Sequence, residues 1–96
     1  MPDSANSPQA AVTLRLVYLA RLRDAFGMAG ESFAAPGEPP TVATLLAALR
    51  ARGGVWNEEL AAGRAVRVAV NHELAAAGTV LAAGDEVALL PPVTGG

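Results

Sequence analysis

The stretch Asp85-Glu86-Val87-Ala88-Leu89-Leu90-Pro91-Pro92-Val93-Thr94-Gly95-Gly96 closes the chain as a strand followed by a stiff exit and a bare end. Val87 and Leu89 alternate with Ala88 and Leu90, so one side of the run faces a core and the other faces outward. Pro91 and Pro92 have no N–H to give to a sheet ladder, which stops the strand and sends the chain out extended. From Pro91 to Gly96 such a tail reaches roughly 20 Å. Gly95 and Gly96 carry no side chain, so the terminal carboxylate would be the first group to enter a narrow channel in another protein. Two glycines end a chain by chance roughly once in 200, and a frayed end with no task reads the same way. The weight therefore falls on what precedes them.

The single histidine and the lack of cysteine exclude a thiol nucleophile, a disulfide and a cysteine or histidine metal cluster. Every basic residue is arginine, so the chain offers no lysine for Schiff-base chemistry and no side-chain amine to which another carrier could be joined. The net charge of −2 argues against a nucleic-acid partner. No apolar run is long enough to span a bilayer. Residues 1–11 are small, polar and proline-bearing, which reads as a disordered leader rather than a signal peptide. The expected compartment is the cytoplasm.

Upstream of the closing strand, Val12 to Ala20 reads as the first strand, with Leu14, Leu16 and Tyr18 on one face and Arg15, Val17 and Leu19 on the other. Arg21 to Gly27 is a turn or a single helical turn. Glu31 to Ala35 is the antiparallel return, with Phe33 as its best core residue. Thr41 caps the clearest helix, in which Val42, Leu45, Leu46 and Leu49 form one stripe that Gly53-Gly54 ends. Val55 to Ala62 is a connection holding a short helical turn, anchored by Trp56 and Leu60. Arg64 to Asn71 is a third strand with Val66, Val68 and Val70 inward. Asn71-His72 is a tight turn into the short return Glu73-Leu74-Ala75. Gly78 to Ala83 is a loop and Gly84-Asp85 turns into the last strand. Trp56 is read as a packing residue rather than a ligand platform, and His72 as a turn residue rather than an acid or base.

Two hairpins thus flank one helix, and the last strand is too apolar for an exposed edge. It needs a central slot beside the first strand. That layout is α+β, a β-grasp (ubiquitin-like) mixed sheet with one main helix on one face, in a single domain spanning 12–96 with a flexible tail at 91–96. A single helix covers only one sheet face. Val17, Leu19, Ala69, Ala88 and Leu90, with Leu74 nearby, should leave an apolar patch beside the tail exit, and such patches mark partner sites. The competing expectation is that Trp56 and its loop fold over that patch.

Two segments carry a family likeness. Val17-Tyr18-Leu19-Ala20-Arg21-Leu22-Arg23-Asp24-Ala25-Phe26-Gly27 resembles an apolar strand followed by Ala-x-x-Arg-Glu-x-x-Gly, and the closing stretch resembles Gly-Asp-Glu-Val-Ala-Phe-Phe-Pro-Pro-Val-Ser/Thr-Gly-Gly. Both are signatures of the molybdopterin synthase small-subunit (MoaD) family. The likeness runs from about Val12 to Gly96. Leu89 and Leu90 replace the family's aromatics, and Asp24 its usual Glu. The resemblance implies a sulfur carrier that is not a catalyst alone and binds no cofactor or metal itself. An E1-like (MoeB-like) adenylyltransferase would use ATP to adenylate Gly96, and sulfur would displace AMP to give a thiocarboxylate. A MoaE-like large subunit, in a heterotetramer, would receive the tail and pass the sulfur to a cyclic pterin precursor for molybdenum cofactor synthesis. Implied contact residues are Leu19, Arg23, Leu74, Leu90, Pro91, Pro92, Val93 and Thr94, with Gly95 and Gly96 entering the active site. Arg23 stands where the family has its arginine and would pair with an acidic group; from the residue alone, a solvated arginine serves equally well. Rival readings are a carrier for thiamine synthesis or tRNA thiolation, and a ubiquitin-like modifier joined to lysines through Gly96. A stand-alone catalyst finds no nucleophile–base pair, phosphate loop or metal spacing.

Overall fold

The structure, a computed structural model, describes residues 12–91. The expected leader (1–11) and most of the expected tail (92–96) lie outside the described residues. In chain order the elements are β1 (Val12–Tyr18), α1 (Arg21–Phe26), β2 (Gly30–Ala35), α2 (Val42–Arg50), α3 (Val55–Glu59), β3 (Arg67–Val70), β4 (Glu73–Leu74) and β5 (Glu86–Leu90), with a 3-10 turn at Ala62–Arg64. The five strands form one sheet in the order β2-β1-β5-β3-β4. The last strand holds the central slot, parallel to β1 (Leu16 beside Val87, Tyr18 beside Leu89) and antiparallel to β3 (Val68 opposite Leu89). The mixed sheet with its covering helices is the β-grasp arrangement expected from the sequence.

The reason β5 goes to the middle is burial. Val87 and Leu89 are fully buried, with Leu14, Leu16 and Tyr18 beside them on the same face. Val42, Leu45 and Leu49 of α2 close over this layer, while Leu46 is half-buried at its margin. Thr41 caps α2 as expected. The backbone N–H of Thr44 donates to Thr41 Oγ1 at 3.2 Å, and the N–H of Thr41 donates to Thr44 Oγ1 at 2.8 Å, a reciprocal box. Thr41→Ala should cost about 1 kcal/mol, read as a lowered urea midpoint with an unchanged slope.

Several boundaries differ from the sequence reading. β1 ends at Tyr18, because Leu19 and Ala20 turn the chain and Ala20 has a φ of 50°. Of the turn or single helical turn expected after it, the structure has the helical form, six residues long and closed by Gly27 in the left-handed conformation. It contributes Leu22 and Phe26 to the core. α2 ends at Arg50, three residues before Gly53. β3 starts at Arg67 rather than Arg64, since the 3-10 turn and Ala65 (φ 56°) occupy the expected first turn of the strand. Phe33 is only half-buried; Ala35 is the sealed residue of β2. Leu81, read as part of a plain loop, is buried. Its loop is laced to the start of α2: the N–H groups of Val42 and Ala43 donate to the carbonyls of Thr79 and Ala77, and that of Leu81 to the carbonyl of Pro40. The first two bonds use first-turn donors of α2 that have no partner within the helix.

Trp56 packs on the helix side of the sheet. Its ring stacks on Phe26 at 3.8 Å and meets Tyr18 edge-on at 5.5 Å. The Arg52 guanidinium sits 4.3 Å from the Trp56 ring centre and also reaches both carboxylate oxygens of Glu31, at 2.9 and 3.1 Å. The Tyr18 hydroxyl donates to Glu31 at 2.5 Å. Burial pushes the Glu31 carboxyl up, but the bonds from Arg52 and Tyr18 outweigh it and hold the group below its ordinary value. A folded-state value below the unfolded one stabilises above the unfolded pKa of about 4.3 and is lost as pH falls through the folded value. Glu31→Gln should therefore lower the melting temperature at pH 7, and the gap to the natural chain should narrow below about pH 4.

Candidate functional site

Alternation along the central strands decides which side chains surround the exit of the chain. With Val87 and Leu89 turned to the core, Glu86, Ala88 and Leu90 face the other way. Val17 lies beside Ala88 on β1, and Ala69 lies opposite Ala88 on β3. Leu19, 38% exposed, extends this layer past the end of β1; its N–H donates to the carbonyl of Leu89 at 3.2 Å. Val17, Leu19, Ala69, Ala88 and Leu90 line a shallow depression of about 290 Å³, with His72 and Glu86 at its far end. Trp56 is on the opposite face, so it does not cover the patch. Among the described residues none folds over it.

The remaining expected site residues fall in different places. Leu74 is 66% exposed on the edge strand, opposite Ala69, and borders two neighbouring clefts rather than the depression itself. Arg23 is exposed on α1, with Nε 4.0 Å from Asp24 Oδ1, and does not line the depression. Pro91 is half-buried at the end of the described residues. Pro92, Val93, Thr94, Gly95 and Gly96 lie outside them.

Three residues not expected at the site from the sequence border the face. Arg67 lies opposite Leu90 in the sheet register. His72 Nε2 lies 3.3 Å from Glu86 Oε2, joining the Asn71-His72 turn to the start of β5. Both turn residues have positive φ (50° and 76°), as a two-residue hairpin requires. The signal for Arg67 was available, since Ala69 faces outward and Arg67 shares its face two residues earlier. No comparable signal placed His72 against Glu86, because that contact depends on the register of β5 against β3.

Chemically the face is a platform. Among the described residues there is no cluster of three potential metal ligands. No helix among them is long and apolar enough to cross a membrane. What the face offers is apolar area edged by Arg67, His72 and Glu86, beside a strand that leads toward Pro91.

The model of the ThiS family matches residues 16–96. The chain belongs to the ThiS family. Within its reach is the molybdopterin synthase sulfur carrier subunit of Escherichia coli (strain K12), 35% identical over 83 residues that cover 86% of this chain and 99% of that protein. Among solved structures, the putative molybdopterin converting factor subunit 1 of Pyrococcus furiosus is 29% identical with a TM-score of 0.72, over 85% of this chain and 99% of that one. Small archaeal modifier protein 1 of Haloferax volcanii is 31% identical with a TM-score of 0.68, over 88% and 99%. The likeness seen in the two sequence segments therefore extends over the ThiS-family fold. The Escherichia coli relative is named as a carrier subunit, in keeping with a chain that is not a catalyst by itself.

Proposed function

We propose that this ThiS-family chain is the sulfur-carrier subunit of a molybdopterin synthase, working in the cytoplasm with an E1-like activating enzyme and a MoaE-like large subunit in a heterotetramer. The observation that carries the proposal is the uncovered apolar face lying beside the strand that runs into Pro91 and Gly95-Gly96. The likeness to the Escherichia coli carrier subunit supports the choice of pathway.

A carboxylate is a poor electrophile until it carries a leaving group. In the proposed sequence, a Gly96 carboxylate oxygen attacks the α-phosphorus of ATP, and pyrophosphate leaves. A hydrosulfide ion then attacks the acyl carbon of the adenylate, the C–S bond forms as the C–O bond to AMP breaks, and AMP leaves. The product thiocarboxylate stores sulfur on a chain that has no cysteine. Docking through Leu19 and Leu90 holds that sulfur in the partner's closed site, where proximity replaces a bimolecular encounter. Arg23, exposed on α1, is proposed to meet an acidic group of a partner, and Leu74 the margin of the same contact. Pro91, Pro92, Val93 and Thr94 are proposed as further partner contacts.

The test is intact mass after incubation with an E1-like enzyme, ATP and a sulfur donor. The full chain should gain the difference between one sulfur and one oxygen, and a chain lacking Gly96 should gain nothing. A mass unchanged in the presence of pyrophosphate release would mean activation without sulfur loading, and the carrier reading would fail. A second reading, a protein modifier, is favoured by the likeness to the archaeal modifier. Isopeptide-linked adducts of this chain trapped in cells would support it.

A further inference from the structure

The two edges of the sheet are unlike. β4, on one side, has only Glu73 and Leu74. β2, on the other, has six residues, Gly30 to Ala35, in unbroken register with β1. The Tyr18 N–H donates to the Ala29 carbonyl at 2.8 Å, and bonded pairs alternate along an antiparallel ladder. Leu16–Glu31 and Leu14–Phe33 are therefore bonded pairs, and Gly30, Ser32 and Ala34 turn their N–H and C=O groups to the outer edge. Among the described residues no hydrogen bond reaches those groups. Soluble proteins guard such an edge by shortness, proline, a bulge or a charge. β4 is guarded by its length. β2 has no proline and no bulge, and its one charge, Glu31, is held on the helix side by Arg52 and Tyr18. On the opposite face its side chains are small, with Ser32 and Ala34 exposed.

We infer that β2 is a self-association edge, which pairs antiparallel with β2 of a second copy of this chain about a two-fold axis at Ser32. That register uses every outward group. Ser32 faces Ser32 of the second copy, Gly30 faces its Ala34 and Ala34 its Gly30, and each facing pair exchanges two backbone hydrogen bonds. Glu31 then lies opposite the second copy's Phe33, so no like charges meet across the seam. The half-buried Phe33 gains cover, because the two Phe33 side chains lie on the diagonal, about 7–8 Å apart and within aromatic reach. An axis at Glu31 would set two carboxylates opposite each other, and an axis at Phe33 would leave Gly30 unpaired. A contact one strand long buries less than the roughly 1,200 Å² of a stable complex, so the dimer is weak and reversible. It closes the open edge and leaves Leu19, Ala88 and Leu90 uncovered, so the inference stands apart from the carrier reading.

The experiment uses the full chain, which has no cysteine of its own. At the axis the two Ser32 Cα atoms would stand about 5.5 Å apart, within the disulfide range of about 4.4–6.8 Å. The two Ala34 Cα atoms would be about 14 Å apart. Under diamide, Ser32→Cys should therefore form a covalent dimer at least about tenfold faster than Ala34→Cys, although both sites are exposed. Sedimentation of the natural chain should show a mass rising above the 9.7 kDa monomer by about 1 mM. Ser32→Asp should stay monomeric there, because two carboxylates would meet at the axis. Its melting temperature in dilute solution should hold, since Arg15 lies beside position 32 on β1. A natural chain that stays monomeric at about 1 mM overturns the inference, as does Ala34→Cys cross-linking as fast as Ser32→Cys. Ser32 and Ala34 amide signals that shift only when the large subunit is added would give the edge to that partner instead, and overturn it too.

Discussion

Leu90→Glu is expected to abolish docking on the large synthase subunit while leaving the fold intact. Leu90 is half-buried on the outer face, in the depression that Val17, Leu19, Ala69 and Ala88 complete. In the free chain the introduced carboxylate keeps its water and lies across from Arg67, so its cost is small, about 1 kcal/mol. In the complex the same carboxylate would be carried into an apolar contact without a partner, and an unpaired buried charge is strongly unfavourable. A loss of at least about 100-fold in affinity follows, or about 3 kcal/mol. Calorimetric titration with the large subunit measures the loss, and a thermal melt checks the fold. Binding within tenfold of the natural chain would mean that the partner docks elsewhere.

One residue earlier the expectation reverses. Leu89→Ala should destabilise the domain by about 2–5 kcal/mol, because Leu89 is fully buried in the central strand between Tyr18 and Val68. The melting temperature of a domain this size should fall by at least about 8 °C. Below the melting transition the variant should still bind the large subunit, since the outer face is unchanged. If the melt shifts by less than about 3 °C, the assignment of Leu89 to the core is wrong. Adjacent leucines thus separate stability from recognition, and the pleat alone makes the division.

The alternation that divides these two leucines was readable from the sequence, as was the central slot it forces. So were the Thr41 cap and the two-residue turn at Asn71-His72, because each rests on a local rule with few competitors. The outer face followed from the same alternation, once one helix was seen to cover one side. Other features were not local. Leu22, Phe26 and Trp56 come from two short helices whose sequences carry too few turns to show a stripe, and their stacking with Tyr18 exists only after folding. Phe33 looked like the anchor of β2 by size, yet it lies near the margin, where the Arg52 guanidinium stands 5.3 Å from its ring. Ala20 and Ala65 adopt positive φ, which alanine disfavours, so no residue type announced those turns. Leu81 was hidden because an isolated leucine in a loop carries no period. The terminal glycines, which give the chain its proposed chemistry, were legible only as a pattern of residue types.

The neighbours in the middle of the sheet have a kinetic consequence. β1 meets β5 across nearly the whole length of the domain, whereas β1–β2 and β3–β4 join strands close together in sequence. Two-stranded ribbons of this size are marginal in water, so neither pair persists until the last strand arrives to join them. Pairing between distant segments slows folding and makes it all-or-none. A stopped-flow trace should show one exponential, and no half-made body should display the docking face before the domain is complete.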